Sequence, residues 1–65
     1  MVREIGEFSG TIWRLLKAKG ELSTAAIKNE TNQTEFMVAA AIGWLAREDK
    51  LNMSKTGRII KVSLK

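Results

Sequence analysis

Phe36-Met37-Val38-Ala39-Ala40-Ala41-Ile42-Gly43-Trp44-Leu45-Ala46 runs eleven residues without a charge, and Arg47-Glu48-Asp49-Lys50-Leu51 follows it directly. As a helix this stretch is apolar all round and must be covered on every side. One helix of a 65-residue domain turns only a single stripe inward. Its remaining apolar face therefore calls for a second chain, a partner protein or an unusual ligand.

Upstream, Val2, Ile5, Phe8, Ser9, Ile12, Leu15 and Leu16 share one side of a helical period, while Arg3, Glu7, Arg14 and Lys17 share the other. That spacing predicts an amphipathic first helix. Lys17 and Lys19 occupy its last turn, and Gly20 suits the left-handed cap that ends it. Gly6 and Gly10 fall inside this helix, each costing about 1 kcal/mol relative to Ala at an exposed helical position. With Trp13 they form one flank that another backbone or a large ring can approach closely. Glu21-Leu22-Ser23 makes a very short extended link, and Ser23 or Thr24 caps a second helix running to about Glu30, with Ala26 and Ile27 inward. Thr31-Asn32-Gln33 is a turn, after which either Asn32 with Glu35 or Thr34 alone caps the third helix.

The third helix reaches about Glu48 or Asp49. Beyond it, Leu51-Asn52-Met53-Ser54 and Ile60, Val62 and Leu64 alternate as half-buried strands do. With Lys55-Thr56-Gly57-Arg58 as the turn, Met53 falls opposite Ile60 and Leu51 opposite Val62, so both strands show their apolar residues to one face. The same register opposes Lys55 and Arg58, a like-charge pair that an anion would relieve.

Composition narrows the chemistry. The chain has neither Cys nor His, so disulfides, thiolate or His zinc sites and the Ser-His-Asp and Cys-His nucleophile systems are excluded. Glu7, Glu35 and Glu48 have no partner to make a catalytic site, and the expectation is a non-enzymatic protein without metal or cofactor. The N-terminus mixes charge with apolar residues where a secretory signal needs an apolar run, and the uncharged stretch is too short to span a bilayer. A cytoplasmic protein with no membrane segment is expected. The net charge is +4, and residues 50 to 65 carry Lys50, Lys55, Arg58, Lys61 and Lys65 with no acid. A basic tail is the electrostatic footprint of a nucleic-acid contact; it also serves to keep a strand edge solvated.

Helix, short strand, helix, turn, helix, hairpin is the order of a winged helix-turn-helix domain. The expectation is a single α+β, mainly α domain over residues 1–65, three helices with a C-terminal β-hairpin wing. Ile5-Gly6-Glu7, Gly10, Ile12-Trp13 and Gly43-Trp44-Leu45-Ala46-Arg47-Glu48 resemble a family of short, stand-alone bacterial winged-helix proteins of uncharacterised function. The resemblance covers nearly the whole chain and implies the fold and a bacterial cytoplasmic setting, with DNA binding by analogy only. Asp49 and Leu51 stand where that family's pattern has Gly and Ile, at the joint before the wing.

In that fold Val38, Ile42 and Leu45 face the core, leaving Phe36, Met37, Ala39, Ala40, Gly43, Trp44 and Arg47 outward. Arg47 alone among them reads bases, so direct major-groove readout is poorly served. The set suits association instead: Ala39, Ala40 and Gly43 admit another helix, and Phe36, Met37 and Trp44 supply anchors. A homodimer through this face, with Gly10 and Trp13 beside it, is one expectation. The alternative is that Trp44 and Phe36 fold back onto Trp13 and the Gly6/Gly10 flank. For duplex DNA the candidates are Lys55, Arg58 and Lys61 on the wing, with Gln33 and Thr34 at the third helix's start and Arg47 near its end. A protein partner on the apolar helix, without DNA, is the second functional class. A small-molecule pocket between Trp13 and Trp44 ranks last.

Overall fold

The computed structural model describes residues 1–65. The elements run α1 (Val2–Lys19), β1 (Leu22–Ser23), α2 (Thr24–Thr31), α3 (Glu35–Arg47), β2 (Leu51–Thr56) and β3 (Ile59–Leu64). Local chemistry sets each boundary. Gly20 ends α1 at φ 81° and ψ −124°, donating its N–H to Leu16 O at 2.7 Å. The positive φ is the expected one. The ψ is not that of a left-handed helical cap, so the chain leaves directly into β1. Ser23 caps α2, its Oγ accepting from the Ala26 N–H at 3.0 Å. Thr34 caps α3 by accepting from the Met37 N–H at 3.2 Å, while Asn32 takes the left-handed conformation that closes α2. The third helix stops at Arg47, short of the expected end. Asp49 adopts φ 60°, a conformation no helix continues through.

Phe8, Ile12 and Leu16 of α1 meet Ile27 of α2, Val38, Ala41, Ile42 and Leu45 of α3, Leu51 of β2 and Val62 of β3 in one core. Each fully buried large aliphatic side chain among them (Ile12, Leu16, Ile27, Val62) contributes roughly 1.5–3 kcal/mol of transfer free energy. Buried Ser9 satisfies its hydroxyl by donating to Gly6 O at 2.7 Å. Val2, expected inward from its period, is exposed, as the first turn of α1 extends beyond the core.

The sheet order is β1-β3-β2, antiparallel throughout. Leu22-Ser23 is thus more than a link: it pairs with Val62 and Lys61 of β3. The hairpin register differs from the expected one. Leu51 lies opposite Leu64, Met53 opposite Val62 and Lys55 opposite Ile60. The two-residue turn is Gly57-Arg58, with Gly57 at φ 61° in its first position. A turn centred on Thr56-Gly57 would have forced positive φ on β-branched Thr56; moving it one residue on places glycine where both primed turns need it. The partner strand shifts by an even number of residues, so the apolar face survives. The opposed Lys55 and Arg58 pair does not form.

Candidate nucleic-acid and partner interfaces

The uncharged helix α3 divides its apolar residues unequally. Val38, Ala41, Ile42 and Leu45 are buried; Ala41 is an inward residue that the sequence reading left unplaced, although its spacing from Val38 and Leu45 marks it. Met37, expected outward, is half-buried and packs against the core. It sits one turn before Ala41, at the edge of the inward stripe. Phe36 is 61% exposed, Ala39, Gly43 and Arg47 are exposed, and Ala40 is half-buried.

Trp44 keeps 37% exposure because its ring turns toward α1, where a Cβ on Gly6 would lie 3.6 Å from Cζ2. A ring does approach the glycine flank, but 3.6 Å is ordinary contact and does not require glycine. A Cβ on Gly10 would meet nothing within 4 Å. Trp44 therefore folds back within the chain and Phe36 does not. Trp13 is half-buried, with Lys17 Nζ 4.9 Å from its ring centroid, a cation–π contact worth about 0.5–1 kcal/mol at an exposed site.

The wing carries Lys55 on β2, Arg58 at its tip and Lys61 on β3, all exposed. Cross-strand pairing puts Lys55 beside Ile60, on the face that continues into buried Val62, and Lys61 beside Ser54 on the opposite face. Ile60 in turn closes a groove of about 400 Å³ between α2 and α3, floored by Ala25, Val38 and Ala39. Lys28 and Glu35 meet at its rim at 3.4 Å. Lys55 is thus the wing cation on the groove side. None of Lys55, Arg58 and Lys61 forms an ion pair, whereas Lys50 pairs with Glu48 and Lys65 with Asp49.

The remaining candidates are spread out. Gln33 lines a separate open hollow with Arg14, Leu15, Lys19 and Glu30, to which no residue of the wing contributes. The Thr34 hydroxyl oxygen accepts from the Met37 N–H as the cap of α3, which leaves its own O–H as the donor for any phosphate. Arg47 is at the other end of that helix, roughly 20 Å along its axis. The structure therefore carries the wing cations on one hairpin, with Lys55 and Lys61 on its opposite faces, and leaves the neighbours Gln33 and Thr34 at one end of α3 and Arg47 at the other. Nowhere do three or more metal-ligating side chains gather. The Met1 ammonium, hydrogen-bonded to Glu4 at 2.8 Å, holds that carboxylate below its ordinary pKa. No helix is long and apolar enough to cross a membrane.

Three helices with a three-stranded antiparallel sheet that ends in a hairpin define a winged helix-turn-helix domain. The winged helix-turn-helix domain family DUF2582 matches residues 1–64, and the chain belongs to it. The chain is 38% identical to the uncharacterized protein MJ1608 of Methanocaldococcus jannaschii, over 95% of this chain and 91% of that protein. It is also similar to the solution NMR structure of BT2368 from Bacteroides thetaiotaomicron, with a TM-score of 0.84, 28% identity, and coverage of 98% of this chain and 79% of that one. Relatives in an archaeon and a bacterium do not assign this chain to bacteria.

Proposed function

We propose that this protein is a non-enzymatic, cytoplasmic nucleic-acid-binding module whose wing, not its third helix, touches the duplex. The observation that carries the reading is that Lys55, Arg58 and Lys61 stand on one hairpin with no carboxylate paired to any of them. Phosphates supply the missing counter-charge, so affinity is electrostatic and weakly dependent on sequence. The outward face of α3 offers Phe36, Ala39, Ala40 and Gly43, with Arg47 its single base reader, to a groove that is read by several Arg, Lys, Asn and Gln together, which argues against major-groove docking. Changing Lys55, Arg58 and Lys61 together to Ser is expected to leave the circular dichroism spectrum intact and abolish binding to duplex DNA. Unchanged binding would remove the wing from the contact.

A second reading is favoured by the exposure of Phe36 at 61% on that same face. Here α3 serves association, either of two copies into a homodimer or with a partner protein, and leaves the wings accessible. Light scattering on the isolated protein tests the homodimer: a monomer at high concentration confines the reading to a partner.

A further inference from the structure

The Trp44 ring lies over Gly6 at a distance where a Cβ there would just touch it, and this approach joins two lines of residues into one surface. On α1 the line is Gly6, Gly10, Trp13 and Lys17, and on α3 it is Phe36, Ala40, Gly43 and Arg47, each following the helical repeat. Phe36 and Trp44 are open to solvent, and a Cβ on Gly10 or Gly43 would touch nothing of this chain. The charges on the two lines are both positive, and neither Lys17 nor Arg47 has an ion pair. Lys17 has only the Trp13 ring beneath it. By contrast Glu4, Glu7, Glu30, Glu35, Glu48 and Asp49 each hold a cation already.

We infer that this α1–α3 surface docks an acidic amphipathic segment of another protein. Its large apolar residues cover Gly10, Ala40 and Gly43, and its carboxylates pair with Lys17 and Arg47. The inference rests on the association reading above and names the chemistry of the partner. An amphipathic helix laid along two helix lines is a common recognition mode, with anchors repeating every turn. A second copy is the poorer occupant, because the same surface on that copy brings two more cations and no acid. Duplex DNA is poorer still, since its phosphates gain nothing from Phe36 and Trp44.

The test is a selection of phage-displayed random peptides of about 16 residues, roughly four helical turns, on the intact protein. Selected peptides are then synthesised and titrated into isotope-labelled protein. Winners are expected to be rich in Asp or Glu together with Trp, Phe or Leu, and to shift the Gly10 and Gly43 amides and the Trp44 indole. Lys17→Glu with Arg47→Glu should weaken them at least about tenfold. Changing the peptide's own acids to amides should do the same without touching the protein's fold. Basic or neutral winners, shifts elsewhere, affinity that survives both charge changes, or no enrichment would overturn the proposal. A homodimer that buries the Gly10 and Gly43 amides would also overturn it while leaving the association reading standing; a monomer with no enrichment would remove both.

Discussion

Asp49 holds φ 60°, the left-handed conformation that glycine adopts freely, so the joint between α3 and the wing carries a strain that glycine would not. Its carboxylate bonds Lys65 at the end of β3, an exposed contact of small worth. Asp49→Gly is therefore expected to raise stability by about 0.5–1 kcal/mol in chemical denaturation; a loss would mean that the Lys65 contact outweighs the strain. Gly10 is the converse case. A methyl there meets open space within an α-helix, so Gly10→Ala should stabilise by about 0.5–1 kcal/mol. Trp44, in contact with α1 yet partly exposed, should cost about 1–3 kcal/mol when changed to Ala, less than a fully buried tryptophan. A negligible loss would place its ring outside the fold's packing.

At the scale of elements, the helices were legible because period and caps coincide: Ile12, Leu16 and Ile27 fall where the inward stripes put them, and Ser23 and Thr34 are side-chain caps. Two things were hidden. The pairing of Leu22-Ser23 with β3 is a long-range contact that two residues cannot announce by alternation. The hairpin register turned on one residue's φ, since Thr56-Gly57 and Gly57-Arg58 centre the turn equally well by pattern and only backbone sterics separate them. Gly57→Ala accordingly should destabilise the hairpin by about 1–2 kcal/mol, read from the melting transition. The candidate wing cations were visible as an acid-free tail, but their division between two faces depends on the register. That division has a consequence: if DNA lies on the groove side, Lys55→Ser weakens binding more than Lys61→Ser does.

For the whole molecule, six ion pairs lie on the surface and involve exposed side chains, so they hold the fold together only weakly. The small core, centred on Ile12, Leu16, Ile27 and Val62, carries the stability, and salt is expected to change the melting temperature little. Nucleic-acid affinity has the opposite dependence if the wing makes it. The direct measurement is a duplex-DNA titration from low to moderate salt, with the fold monitored in the same samples. Binding with a log–log salt slope of about −2 to −3 per copy, matching two or three phosphate contacts, is the predicted result. No binding at low salt, or binding that salt does not weaken, would contradict a wing-led contact.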